Sequence, residues 1–273
     1  FWAYLQTKSV LATGIIGGTY MLLLAVFAMY FGTLVDRHRK QRVMLASSLV
    51  TLVAFSLAGG LYLLVGPTAI ANLNHGWFWL FVALILFGSV VEGLRNIALS
   101  TTVTLLVEED RRANANGLVG TVQGVGFIAT SVFSGLAIGQ LGMGWTIVIA
   151  IVLTAVSTGH LFTFRIPEER PQHTKADAPK VDFVGAFAAI RAVPGLLAMV
   201  LFATFNNLIG GVYMALMDPY GLEIFSVEMW GIIFGIAGTG FIVGGLFVAR
   251  FGLGASPIRT MLLVVALMGA IGA

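Results

Sequence analysis

Seven stretches of uninterrupted apolar sequence, at about 9–31, 43–65, 77–106, 115–138, 143–165, 194–216 and 227–249, are each long enough to cross a hydrocarbon layer ~30 Å thick as an α-helix, and an eighth begins near 259. The apolar residues run on without alternating, which excludes barrel strands. A helix also satisfies its own backbone where lipid offers no partners. Composition agrees: 58% hydrophobic and 10% charged residues over 273 positions leave too little charge to clothe a water-soluble globule of this size. The expected fold class is an all-α membrane protein.

The gaps between the spans give the orientation through their Lys and Arg. Residues 32–42 hold Arg37, Arg39, Lys40 and Arg42; 107–114 hold Arg111 and Arg112; 165–193 hold five basic residues; 250–259 hold Arg250 and Arg259. The alternate gaps at 66–76, 139–142 and 217–226 hold none. Only Lys8 and Arg95 depart from a one-sided distribution of the 15 basic residues, so the spans alternate in direction and the charged side is expected to be cytoplasmic. Trp2, Trp77, Trp79, Trp145 and Trp230 all fall near span ends, where an aromatic belt is expected.

With no Cys, there are no disulfide frameworks, thiolate metal sites or cysteine nucleophiles, and the four His (His38, His75, His160, His173) lack metal-ligand spacing. No metal or other cofactor is expected. A pI near 9.4 does not imply nucleic acid, because the basic residues are spread over short inter-span gaps and form no patch on a water-facing domain. No paired carboxylates or Ser-His arrangement near one membrane face supports an enzyme. The chain opens on an apolar segment with no basic residue before it, unlike a signal peptide, and stops while still apolar, so both ends read as cut.

One gap differs from the rest. From Pro167 to Lys180 it is polar and proline-bearing, a linker composition, and it divides the spans into two groups. Beyond it, Phe183, Phe187 and Ile190 recur at helical spacing beside Asp182 and Arg191, predicting an amphipathic surface helix over 181–193 before Pro194 opens the next span. The domains expected are an N-terminal transmembrane bundle at 1–165 with its first helix truncated, a cytoplasmic linker at 166–193, and a truncated C-terminal transmembrane bundle at 194–273.

The run G-T-L-V-D-R-H-R-K-Q-R at 32–42 has a weak echo, G-L-F-V-A-R-F-G, at 245–252, each following a span and entering a charged gap. Here the sequence resembles the major facilitator superfamily, whose loop between helices two and three carries G-x-L-a-D-R-x-G-R-K and whose second half repeats it in degraded form. Gly32, Leu34, Asp36, Arg37 and Lys40 match; Arg39 stands in place of the family's second Gly, and Ala249 in place of the Asp of the second copy. The run Arg112-Ala113-Asn114-Ala115-Asn116-Gly117 looks like the family's short loop before helix five, and Gly142-Met143-Gly144-Trp145 precedes helix six. The stretch at 206–222 is most similar to bacterial macrolide-efflux-type exporters. The helix-five motif G-P-x-x-G-G is not intact, since Ser134-Gly135 lies there without Pro, and the helix-four Arg followed by Q-G is missing from its usual place. The resemblance covers essentially the whole chain, read as the tail of helix one through the start of helix nine.

The resemblance implies two helical bundles with substrate bound between them near the midplane, exchanged by alternating access. It also makes Asp36 and Arg37 candidates for a gate that holds in one transport state; the plainer alternative is a cluster that only sets topology. Glu92 and Arg95 are the fully charged residues well inside a span, three apart and on one face. They are either a proton or cation site or a static ion pair. Gln123, Asn206 and Asn207 are candidate cavity-lining amides that could equally hold helices together. The glycines at 117, 120 and 124 and at 240, 244 and 245 predict tight helix packing, since no strand precedes them to make a phosphate cradle.

The function expected is secondary active export of a hydrophobic or amphipathic small molecule, by a monomer in the bacterial inner membrane, with protons as coupling ion and the lipid bilayer and the substrate as its partners. Nutrient uptake on the same fold is the alternative. A reading from another class is a non-transporting membrane sensor or scaffold.

Overall fold

The computed structural model describes residues 1–163, 166–167, 183–193, 195–252, 254 and 257–272. Among these every element is helical. A short helix α1 (Trp2–Thr7) leads into α2 (Val10–Arg37), followed by α3 (Lys40–Val65), the single turn α4 (Pro67–Ile70), α5 (Gly76–Leu106), α6 (Arg112–Leu136) and α7 (Gly142–Leu161). Then come α8 (Phe183–Ala192), α9 (Leu196–Ile224), α10 (Val227–Phe251) and α11 (Pro257–Gly272). The helix expected over 181–193 is present as α8, where the Arg191 guanidinium lies 4.6 Å from the Phe187 ring centre. The linker residues 168–182, with Asp182, and Pro194 lie outside the described residues, as does the Phe183 side chain.

Among the described residues, six helical runs are long and apolar enough to cross a membrane, and one of them, Glu109–Leu161, is 53 residues long. At 1.5 Å per residue such a run would measure about 80 Å, more than twice a bilayer core. It is not one rod. The α-helical pattern gives way to a π turn at Ala137–Leu141, and Gly142 then takes φ 78° and ψ 174°, a conformation essentially reserved to glycine. Two spans, α6 and α7, are thus folded from one apolar stretch, which restores the seven expected. Gly66 ends α3 in the same way, at φ 87° and ψ 153°.

The chain forms two compact units. The first comprises residues 1–101 and 136–230 and is built on two apolar clusters. One joins Phe31 and Val35 of α2, Val43 and Met44 of α3, Val90, Leu94 and Ala98 of α5, and Leu161 of α7. Apart from Val90 and Leu94, near the middle of α5, these lie toward the helix ends that border the basic gaps. The other joins Trp2, Ala58, Ile70, Phe78, Phe81, Val82 and Ile147, at the ends bordering gaps without Lys or Arg. The alternating directions inferred from charge are therefore those that packing produces, and the two ends are called here the charge-rich and charge-poor faces. Trp2 stacks on Phe78 and meets Phe81 edge-on, and Trp230 is 4% exposed, so these two tryptophans are core residues while Trp77, Trp79 and Trp145 are exposed.

The second unit comprises residues 102–135 and 231–273 and holds an antiparallel pair, α6 and α10, in close backbone contact. A Cβ built on Gly117 would lie 2.8 Å from the Gly245 carbonyl oxygen; on Gly124, 2.9 Å from the Ile242 nitrogen; on Gly231, 2.6 Å from the Ser131 carbonyl. Gly235 and Gly238 meet Val132, Phe127 and Ile128 between these points. Glycine here removes the side chain that would hold the two backbones apart, which is how helices associate where lipid removes the hydrophobic drive.

The span expected at 194–216 continues as helix to Ile224, through Pro219. Proline inside a helix removes one backbone donor. Tertiary contacts hold the extension: the Trp230 ring packs on Gly221, the Trp230 indole Nε1–H donates to Asp218 Oδ1 at 3.0 Å, and the last turn closes with Phe225 N–H to Gly221 O at 2.8 Å.

Candidate functional site: membrane charges and helix-end clusters

Glu92 and Arg95 face inward from the middle of α5 and are brought together as expected, with Arg95 Nε 2.6 Å from Glu92 Oε1. Two residues missed by sequence reasoning complete the cluster. Ser157 of α7 accepts a hydrogen bond from Arg95 Nη1 at 2.9 Å, and Thr51 of α3 donates to the Gly88 carbonyl at 3.0 Å with Glu92 Oε2 3.5 Å away. The pair is therefore tied across three spans, with each side chain about 30% exposed. An ion pair inside a membrane span survives only when both charges find such partners or water. A hydroxyl on a membrane helix more often bonds its own preceding turn, as Thr154 and Thr158 do here, so nothing in the sequence marks Ser157 as different.

The motif residues lie at the charge-rich face. Leu34 packs on the cluster around Val35, Asp36 and Arg37 are exposed at the end of α2, and Lys40 is buried at the start of α3. Gly32 has open space at its Cβ position, so no close helix approach depends on it. His38 Nδ1 lies 3.0 Å from the Leu34 carbonyl, against the last turn of α2. Gln41, which sequence reasoning passed over, clamps the end of α7: its amide donates to the Leu161 carbonyl at 3.2 Å and its carbonyl accepts from Ile166 N–H at 3.3 Å.

In the second unit the run at 112–117, expected as a short loop, is instead the opening of α6, and it meets the echo of the motif directly. The Asn114 side-chain amide donates to the Ala249 carbonyl at 2.6 Å, beside the Gly117 and Gly245 contact. Ala249 occupies the position where the repeat would carry Asp, so the backbone carbonyl is the acceptor there. Next to this seam runs an open groove of about 370 Å³ lined by Asn116, Gly120, Gln123, Gly240, Phe241 and Gly244 among others. Asn116 and Gln123 are seven apart and share a helix face, a spacing that could have flagged Asn116 in the sequence. Neither side-chain amide has a hydrogen-bond partner among the described residues. Asn206 is exposed, and Asn207 donates to the Ala203 carbonyl one turn back at 2.8 Å, so neither holds another described helix.

At the charge-poor face of the first unit, Tyr4 Oη donates to Glu223 Oε1 at 2.8 Å and Lys8 Nζ lies 3.5 Å from the same oxygen. This hydrogen bond, with lesser contributions from burial and the carboxylate charge, raises the Tyr4 phenol above its ordinary pKa. Among the described residues no group of three or more His, Cys, Asp or Glu could hold a metal ion.

The family model of the Major Facilitator Superfamily matches residues 2–273. Among curated proteins, macrolide efflux protein A of Enterococcus faecalis is 22% identical over 234 residues, which are 84% of this chain and 69% of that protein. Macrolide efflux protein A of Streptococcus pyogenes is 22% identical over the same length, and there the chain spans only 55% of the relative. No solved structure gives a significant match. The helical fold of the described residues, the apolar spans and the match over nearly the whole length place this chain in the Major Facilitator Superfamily.

Proposed function

We propose that the protein is a secondary active transporter that exports a hydrophobic or amphipathic small molecule from a bacterial cell by alternating access, with a proton as coupling ion. The observation that carries the coupling is the Glu92, Arg95, Thr51 and Ser157 cluster: a carboxylate inside a span, with one strong cationic partner and one long hydroxyl contact, can exchange a proton without losing its place. Export is supported by the relatives, whose names describe macrolide efflux. The groove beside α6 and α10 supports an amphipathic substrate, because it offers two amides without a hydrogen-bond partner among the described residues and the Phe241 ring rather than charges. The motif at Asp36 and Arg37, with Gly32, Leu34 and Lys40, serves as the gate at the charge-rich face, which is cytoplasmic by the basic-residue rule.

Inverted membrane vesicles containing the whole protein test this directly. Dyes and macrolides should accumulate when a pH gradient is imposed, and Glu92→Gln, which preserves shape and a hydrogen bond to Thr51, should abolish the gradient dependence. Accumulation unaffected by the substitution would reduce Glu92 to a structural ion pair, and no accumulation of any compound would overturn export.

A further inference from the structure

We infer that Tyr4, Lys8 and Glu223 form a latch closing the charge-poor face, one that must break whenever α9 moves away from the α1–α2 corner. The inference rests on the alternating-access reading above, and it adds a gate at the opposite face from the Asp36 motif.

Burial along α9 is the first reason. The described residues of this helix are exposed or half-exposed from Leu196 through Asp218, with buried positions only at Pro219, Gly221 and Leu222 near its end. Within its unit α9 is thus held chiefly by its charge-poor end. The open Cβ positions at Gly14, Gly17 and Gly18 of α2, and at Gly210 and Gly211 of α9, show no glycine-mediated locking along the rest of either helix.

The second reason is a contrast in anchoring. On one side, α1 is fixed by Trp2, which stacks on Phe78 at 6.3 Å and meets Phe81 at 5.5 Å. On the other, the end of α9 is fixed to α10 by the Asp218 to Trp230 hydrogen bond, the Gly221 packing and the stacking of Phe225 on Trp230. Each side is rigid, and buried aromatic surface makes it so. Across the seam, by contrast, one carboxylate receives Tyr4 at 2.8 Å and Lys8 at 3.5 Å, with the Lys8 and Glu223 side chains 59% and 58% exposed. The Lys8 ammonium also lies 5.4 Å from the Tyr4 ring centre, and Lys8 is held there at φ 49°, the left-handed position that ends α1. Tyr4 is itself buried, 4% exposed, but it reaches Glu223 through a single hydrogen bond and the Lys8 ion pair is exposed, and contacts of these two kinds are individually weak. A joint between two rigid parts made from such contacts holds one state without trapping it.

These 273 residues contain no cysteine, so within them paired spin labels meet no other thiol, and any cysteine elsewhere in the whole protein is first replaced by serine. Labels at Gln6→Cys and Ile224→Cys, both exposed positions flanking the latch, would report the distance across it by pulsed dipolar spectroscopy on the whole protein in lipid. Lys8→Glu sets two carboxylates together and should raise the population of longer distances about tenfold. Glu223→Lys should do the same, and the charge-swapped double variant should return the distribution toward wild type. Tyr4→Phe, the least disruptive change, should give a smaller shift in the same direction. Distances unchanged by both charge reversals, or a swap that fails to restore them, would overturn the latch. Transport measured on the same variants keeps the two claims apart. Distances that respond in a protein that moves no substrate would support the latch and refute the transporter reading; transport with unresponsive distances would do the reverse.

Discussion

Replacing Gly117 by Ala tests whether α6 and α10 are held at backbone contact. The new Cβ would sit 2.8 Å from the Gly245 carbonyl oxygen and 2.9 Å from Ala249 Cα, well inside the ordinary 3.4–4 Å range of van der Waals contact. Those neighbours are backbone atoms, so no side chain can swing aside. The helices must separate by several tenths of an ångström, which also stretches the 2.6 Å bond from Asn114 to the Ala249 carbonyl. Overpacking of this kind costs roughly 1–3 kcal/mol, and a weakened hydrogen bond adds up to about 1 kcal/mol. Gly120 is the matched control, one turn along the same helix with nothing within 4 Å of its Cβ position. Any general effect of exchanging glycine for alanine in a helix is common to both sites and cancels. Thermal unfolding of the purified protein in detergent, followed by tryptophan fluorescence, should show a clearly lower midpoint for Gly117→Ala than for Gly120→Ala. Equal midpoints would refute the close approach and, with it, the reading of the glycine seam as a packing device.

Two further outcomes are expected. Arg95→Met leaves the Glu92 carboxylate without its cation inside a span, and breaking one side of a buried pair costs about 3–5 kcal/mol at full burial; partial exposure reduces this here. The double variant Glu92→Gln, Arg95→Met should recover most of the loss in the same unfolding assay, and a double variant no more stable than Arg95→Met would show that the two charges are not coupled. For Tyr4, a phenol raised in the folded state stabilises that state below its unfolded pKa near 10 and ceases to do so as pH rises through the higher folded value. Difference titration near 295 nm between wild type and Tyr4→Phe should therefore reveal one phenol ionising above pH 10, moving back toward 10 in Glu223→Ala; no such shift would place Tyr4 away from the carboxylate.

Helix number and direction were legible because hydrophobic length and basic-residue asymmetry are chain-local signals. The break at Gly142 and the end of α3 at Gly66 were legible for a similar reason, as gaps in the apolar pattern filled by residues free to take positive φ. Glu92 and Arg95 stood out because charge is costly in lipid at any position. Their partners did not stand out: Thr51 and Ser157 look like any hydroxyl in an apolar helix, and only the packing of α3 and α7 around α5 sets them apart. The extension of α9 through Pro219 ran against local propensity, because the contacts that hold it come from Trp230 and Tyr4, 11 residues later and 215 residues earlier in the chain.

By itself, then, the sequence determined that the chain crosses a membrane as helices, that successive helices alternate in direction, and where charges must be sheltered. Each of these follows from the free energy of a short segment in lipid or water. Tertiary structure alone decided which glycines touch a neighbouring backbone, with Gly117 packed against Gly245 and Gly120 left open, and which carboxylate ties α1 to α9. Those outcomes depend on the rotation and register of one helix against another, set by the fit of many side chains at once, and no single segment carries that information.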